Sequence, residues 1–252
     1  MAGMDETLWQ RLLRRDAADA GLCPLYGPLL GASATGDGCL VLGRLAQSLD
    51  GRIATASGAS GWISGPADLE HTHRLRALFD AIVVGAGTVR ADDPQLSTRL
   101  VAGPSPVRVI VDANRRLDGR YKVFRDGPPT LLFTAADSEG PDHLGTAQVV
   151  RLPRSGEGLD PAALLTALAA RGLRRVFIEG GGITVSRFLV AGMLNRLHVT
   201  VAPLLLGGGV PAFTLPPALA PADGLRFNWT VHPMAPDILL DIPLRRVALI
   251  AD

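Results

Sequence analysis

The chain has 252 residues, 47% of them hydrophobic and 19% charged, with a formal net charge of +1. That length and composition suit one large domain, or one and a half, of a soluble globular protein with a substantial core, and exclude a disordered chain. The near-zero charge gives no electrostatic case for nucleic acid or an anionic membrane surface as a partner.

The N-terminus, "MAGMDETLWQRLLRRDAADAG", is acidic and then amphipathic, without the basic segment and apolar run of a secretory signal. Leu8 and Leu12, and Trp9 and Leu13, recur at a spacing of four, which predicts a helix over residues 5–20. The Gly- and Pro-rich "GLCPLYGPLLGASATGDG" that follows reads as a linker. Residues 1–38 are therefore expected to be a helical extension and linker, and residues 39–252 the body. Cys23 and Cys39 are too few and too far apart for a zinc site or a disulfide framework, so a cytoplasmic compartment is the default. The longest apolar stretches, such as "HVTVAPLLLGGG", are strand-length and broken by Pro203, well short of a membrane span.

The body alternates. "CLVLGRLAQSL" reads as a strand ending at the turn Asp50-Gly51. "PADLEHTHRLRALF" reads as a helix with Pro66 near its start, followed by the strand "AIVVG". "VRVIVD" and "TLLFT" are short apolar strands of the doubly buried kind. "DPAALLTALAARG" is a helix capped by Asp160 and ended by Gly172. The strand "RRVFIEG", a helix opened by three glycines and the strand "RLHVTVAPLLLG" come next. The tail, "GLRFNWTVHPMAPDILLDIPL", reads as two strands with no helix between them. This order predicts an α/β protein with a mainly parallel sheet and an antiparallel edge, flanked by helices, with ligands beyond the carboxyl ends of the strands.

Three stretches are candidates for chemistry. In "IEGGG" the acid Glu179 precedes Gly180, Gly181 and Gly182; the run reads either as a cradle for a phosphate at a helix start or as a tight turn without a ligand. It is not the dinucleotide fingerprint, and neither is "GAGTVRADD", where Arg90 stands in place of the last glycine. In "TVRADDPQLSTR", Asp92, Asp93 and Pro94 read either as a capped, proline-stopped turn or as a strand-end loop. Such a loop would hold Thr88 and Asp92 toward a ligand, with Arg99 as the cation for an anionic group. "RLAQSLDGRIATASGASGWISG" reads either as an ordinary hairpin or as a flap closing Trp62 over a flat ring. His71 and His73 diverge on their helix, no H-E-x-x-H or C-x-x-C occurs, and no metal is expected. No nucleophile elbow occurs either, so catalysis would rest on an organic cofactor with anionic groups.

Together these stretches resemble the reductase domain of the bacterial bifunctional riboflavin-biosynthesis deaminase/reductase, in a version without the deaminase domain. The resemblance covers roughly Leu40 to Leu240 and rests on "AQSLDGRIA", "SGWISG", "LRALFDAIVVGAGTVRADDPQLSTR", "PVRVIVD" and "IEGGG", in the family's order and spacing. The zinc deaminase domain is not expected, since only 38 residues precede the body, and Arg44 stands where the family usually has a lysine.

The resemblance implies a dihydrofolate-reductase-like three-layer fold, a mixed sheet between helices. It implies an NADPH-dependent oxidoreductase of riboflavin biosynthesis, passing hydride to the ribosyl C1′ of 5-amino-6-(5-phosphoribosylamino)uracil or a close relative. It assigns the cofactor to Ala46, Trp62, Thr88, Asp92 and the turn of Gly181, Gly182, Ile183, Thr184, Val185, Ser186 and Arg187. It assigns the substrate to Ser60, Arg76, Leu96, Arg99 and Glu179, with Arg76 and Arg99 anchoring its phosphate and Glu179 the candidate proton donor. A solvated helix face is the plain alternative for Arg76. Arg115 and Arg116, after a strand, are candidates for the 2′-phosphate of NADPH. A homodimer is implied, with "VTVAPLLLGGG" as the expected seam. Two alternatives stay open: a reductase of the same fold acting on another heterocycle or ketone in a specialised pathway, and a non-catalytic NADP-binding module.

Overall fold

The structure, a computed structural model, describes residues 4–31, 35–61 and 63–246. Its helices are α1 (Glu6–Leu13), α2 (Pro66–Leu78), α3 (Ala86–Asp92), α4 (Pro161–Ala169) and α5 (Gly182–Val190). Its strands begin with β1 (Leu40–Ser48), β2 (Arg52–Ala54), β3 (Ala81–Gly85), β4 (Val107–Val111) and β5 (Thr130–Ala135). There follow β6 (His143–Leu144), β7 (Ala147–Leu152), β8 (Arg154–Ser155), β9 (Gly158–Leu159) and β10 (Arg175–Glu179). β11 (Arg196–Ala202), β12 (Val210–Pro211), β13 (Thr230–Met234) and β14 (Asp237–Pro243) complete the series. The chain divides into two compact units, residues 1–40 with 69–177 and residues 41–68 with 178–252. Among the described residues no helix is long and apolar enough to cross a membrane.

In the first unit β3, β4, β5 and β7 are parallel neighbours in that order, and β6 pairs antiparallel with β7. Ile82, Val83, Val84, Val109, Ile110, Leu132 and Phe133 are buried along these strands, as unbroken apolar runs require when both faces of a sheet are covered. α4 opens where the sequence places it: the Asp160 carboxylate accepts the Ala162 N–H at 3.0 Å, and Pro161 is the first residue. Its stop is Gly172, in the left-handed region at φ 77°.

The N-terminal segment departs from expectation. α1 ends at Leu13 and the chain reverses at Arg15, φ 57°, so the helix does not reach residue 20. 3₁₀ segments follow at Ala17–Leu22, largely within the part read as helix, and at Gly27–Leu29, within the stretch read as a linker, of which residues 32–34 lie outside the described residues. Leu25, Tyr26 and Leu29 in that stretch are buried. Arg15 pairs with Asp80 at 2.5 Å, and Arg175 donates to the carbonyls of Leu29 and Gly31. The segment is thus packed into the first unit rather than strung beside it.

In the second unit the order is β13-β14-β11-β1, followed by the end of β10. β1 and β11 run parallel with Ala46 opposite Thr200, whereas β14 is antiparallel to both β11 and β13. The result is the expected α/β class, parallel through the alternating part and antiparallel at the C-terminal strands. β11 is paired along both edges, and from "VTVAPLLLGGG" the exposed large apolar residues are Leu204 and Leu205, past the strand. Across β11 and β14, Arg196 donates two bonds to Asp241, at 2.7 and 2.8 Å, and His198 Nε2 lies 3.2 Å from the same carboxylate.

Candidate active site

In the first unit the candidate residues gather on α2, α3 and the loop after Pro94. The solvated-face alternative for Arg76 is overturned: its side chain is buried and Nη1 donates to the Ser97 carbonyl at 3.0 Å. Arg99 is exposed, and its Nη1 donates to the Ser97 hydroxyl at 2.9 Å. Two guanidinium groups therefore meet on one residue, where their mutual repulsion favours an anion and their fork geometry suits phosphate. Leu96 is buried with φ 57°, a left-handed conformation that costs a non-glycine residue on the order of 1–3 kcal/mol. That strained residue turns the chain so that residues 97–99 face α2.

Thr88 and Asp92 lie on a helix, not in the strand-end loop expected of them, because Gly85 ends β3 and α3 begins at once. Asp93 takes the left-handed C-cap position at φ 40°, and its carboxylate accepts the Lys122 N–H at 2.8 Å. The capped, proline-stopped turn is thus real for Asp93, while Asp92 ends the helix with its side chain exposed. Arg115 does not suit the 2′-phosphate role. Its guanidinium donates to the carbonyls of Pro141 and His143, which leaves Arg116 as the exposed arginine of the pair.

In the second unit each glycine of the triple run has its own physical reason. Gly180 and Gly181 take φ 65° and 71°, left-handed values that favour residues without a Cβ. Gly182 lies so close to backbone that a Cβ would fall 2.6 Å from the Ala212 carbonyl oxygen and 2.7 Å from that of Pro211. At Gly180 nothing lies within 4 Å of a would-be Cβ, so this glycine faces open space. α5 starts immediately after, and the first N–H groups of a helix have no intrahelical partner. An open main-chain turn at a helix start fits a diphosphate. Within this turn Val185 and Ser186 are buried, and the Ser186 hydroxyl accepts the Thr214 N–H at 2.9 Å. Ile183 and Arg187 are exposed and Thr184 is half-buried. Glu179 is half-buried at the end of β10, and Ala46 and Ser60 are half-buried on β1 and the loop after β2. Trp62 lies outside the described residues.

Four residues escaped the sequence reading. Asp68, in the first turn of α2, is fully buried and paired with Arg44, and it accepts the Thr200 hydroxyl at 2.6 Å. Burial would raise the Asp68 pKa, but Arg44 together with the hydroxyls of Ser64 and Thr200 outweighs it and holds the carboxyl at about 2. Asp237 accepts the Gly65 N–H at 2.7 Å and so ties down the end of the loop that carries Ser60. Ser97 and Thr200 join them. One signal was available: an arginine inside the apolar run "LVLGRLAQS" requires a buried acid near it, though not which acid.

Asp68 and Asp241 make acid the vulnerable side. Asp241 is held below the usual range, since the bonds from His198 and Arg196 outweigh its burial, and burial pushes His198 down. All three groups bind protons less readily folded than unfolded, so stability falls as pH falls. The expected urea midpoint is flat near neutrality, declines below about pH 6.5 as unfolded histidine takes a proton, and drops steeply below about pH 4. A midpoint that rose on acidification from pH 7 to 4 would contradict these assignments.

The model of the RibD C-terminal domain family matches residues 40–232. The riboflavin biosynthesis protein RibD of Bacillus amyloliquefaciens is 36% identical over 187 residues, which are 73% of this chain and 49% of that protein. The 2,5-diamino-6-ribosylamino-4(3H)-pyrimidinone 5′-phosphate reductase of Methanothermobacter thermautotrophicus is 38% identical over 170 residues, 65% of this chain and 77% of that one. Among solved structures, a diaminohydroxyphosphoribosylaminopyrimidine deaminase/5-amino-6-(5-phosphoribosylamino)uracil reductase from Thermotoga maritima superposes with a TM-score of 0.71 at 28% identity, covering 90% of this chain and 61% of its own. The chain thus spans about half the length of the RibD proteins it matches.

Proposed function

The chain belongs to the RibD C-terminal domain family, and on that premise we propose that it is an NADPH-dependent reductase of a phosphorylated ribosylaminopyrimidine. The substrate in this reading is 5-amino-6-(5-phosphoribosylamino)uracil or a close relative, as in riboflavin synthesis. The observation that carries it is the meeting of Arg76 and Arg99 on Ser97, a dicationic seat for a phosphate monoester.

When bound, the reduced nicotinamide supplies hydride to the sugar-derived C1′ carbon. The chain's own residues orient and balance charge. Arg76 and Arg99 bind the phosphate, Ser60 and Leu96 line the substrate, and the Glu179 carboxyl holds the proton destined for the substrate nitrogen. The main chain from Gly181 to Thr184 and the Arg187 side chain hold the diphosphate. Ala46, Trp62, Thr88 and Asp92 receive the rest of the dinucleotide, and Arg116 rather than Arg115 is the candidate for its 2′-phosphate. In this reading the enzyme works in the cytoplasm, as a homodimer.

The test is anaerobic turnover of the purified protein with NADPH and the phosphorylated ribosylaminopyrimidine, following loss of the reduced nicotinamide and the mass of the ribitylamino product. Substrate-dependent NADPH oxidation with a gain of two hydrogens is expected; no turnover despite NADPH binding would reject the substrate. One observation favours the second reading, a reductase of another heterocycle. Arg44, where the resemblance has a lysine, is buried and neutralised by Asp68. A panel of heterocyclic and ketone substrates separates the two.

A further inference from the structure

We infer that the N-terminal segment and His73 form a built-in brace for the phosphate seat, with Trp9 and His73 as positioning residues for Arg76 and Arg99. This rests on the reading of those two arginines as the phosphate anchor. Of the brace, Trp9, Leu13 and Tyr26 precede the residues that match the family, 40–232, while His71, His73, Arg74 and the Arg99 loop lie within them.

The loop that carries Arg99 is held at three points. Its Arg99 N–H donates to His73 Nδ1 at 2.9 Å, and His73 is buried on the same helix as Arg76. The acceptor must be an unprotonated ring nitrogen, because a backbone N–H can only donate. Farther along, the Trp9 Nε1–H donates to the Ala102 carbonyl at 2.8 Å, a contact spanning 93 residues of chain. Enclosing these points, Thr98 closes the loop on itself, with its N–H donating to the Ser105 hydroxyl at 3.0 Å and its own hydroxyl to the Pro104 carbonyl at 2.9 Å.

The extension also grips α2 from the other side. Trp9 is buried with the Arg74 guanidinium 5.5 Å from its ring centre, and Tyr26 meets Trp9 edge-on at 6.1 Å. The Tyr26 hydroxyl lies 2.8 Å from His71 Nδ1, both groups being fully buried. Gly103 fits so tightly that a Cβ there would stand 2.7 Å from the Ala77 Cβ on α2 and 3.1 Å from Leu13 on α1. Helix, loop and extension are therefore packed against one another. A guanidinium on a loose loop would lose much of its phosphate affinity to ordering entropy; this packing removes that cost in advance.

The experiment uses the full chain and compares kcat and KM for the phosphorylated ribosylaminopyrimidine with those for its dephosphorylated form. His73→Leu leaves the Arg99 N–H, and the Leu100 N–H that lies 3.5 Å from the same nitrogen, facing an apolar side chain, and is expected to raise KM for the phosphorylated compound about tenfold while kcat stays within about twofold. His73→Asn, whose amide oxygen can sit where Nδ1 sat, is expected to recover most of that loss. Trp9→Phe keeps an aromatic, though smaller, ring and removes the donor, and is expected to raise the same KM about threefold. None of the three should shift KM for the dephosphorylated compound or NADPH affinity by more than about twofold. Arg99→Met is the control for the underlying reading. If it alters the KM of the phosphorylated compound and His73→Leu and Trp9→Phe do not, the brace is refuted and the phosphate seat survives. If Arg99→Met leaves that KM unchanged, the seat is refuted and the brace with it. A lowered melting temperature with unaltered KM in His73→Leu likewise overturns the proposal, because a merely structural role predicts that result.

Discussion

Replacing Asp68 by alanine is expected to destabilise the protein by about 3–5 kcal/mol, a third or more of the stability of a typical domain. The substitution removes no large apolar surface. It leaves the Arg44 guanidinium in a site where its side chain is 10% exposed, with its only ion pair among the described residues gone. It also takes an acceptor from the Thr200 hydroxyl and from Ser64. The charged pair itself need contribute little, because removing both charges from water costs about as much as their attraction returns. The two statements combine into one measurable contrast. Arg44→Met together with Asp68→Leu should lie within about 2 kcal/mol of the parent, while Asp68→Ala alone lies far below it. Urea unfolding at pH 7 reads both. Equal loss in the single and double variants would show that packing, not stranded charge, sets the cost.

Arg76→Met and Arg99→Met are each expected to lower kcat/KM for the phosphorylated substrate by about 10- to 100-fold, the effect of removing a charge-assisted hydrogen bond to a dianion. Arg76 should give the larger effect. It is buried and held by the Ser97 carbonyl, whereas Arg99 is exposed and screened by solvent. Methionine replaces the apolar stem of arginine and removes the charged head, so α2 should stay packed in both variants. The decisive comparison is again the dephosphorylated compound, which neither arginine has reason to bind. With it, parent and variants should differ by less than about twofold. A loss of the same size with both compounds would mean that the arginines act on the fold rather than on the phosphate.

Much of this architecture was legible in the chain because local signals suffice for it. Short, β-branched apolar runs such as "AIVVG" read as strands covered on both faces, and Asp160-Pro161 with Gly172 marks a helix at both ends. The alternation of elements then settles the class and its parallel sheet, and the tail without a helix settles the antiparallel strands. The five motifs in register named the family, since each constrains backbone and side chain at fixed spacing.

What the sequence by itself determined was therefore the elements, their order and the types of residue that could meet a ligand. Only the tertiary structure decided which of them are held, and by what. Three glycines in a row look alike in one dimension, yet two serve a left-handed backbone and the third a close approach to Pro211 and Ala212. A Gly- and Pro-rich linker became part of a unit because Leu25, Tyr26 and Leu29 had apolar partners elsewhere in the chain. Arg44 found Asp68, and Arg99 found His73, across 24 and 26 residues of chain. Burial and hydrogen bonding depend on distance in space, and for groups so far apart along the chain that distance exists only once the protein has folded.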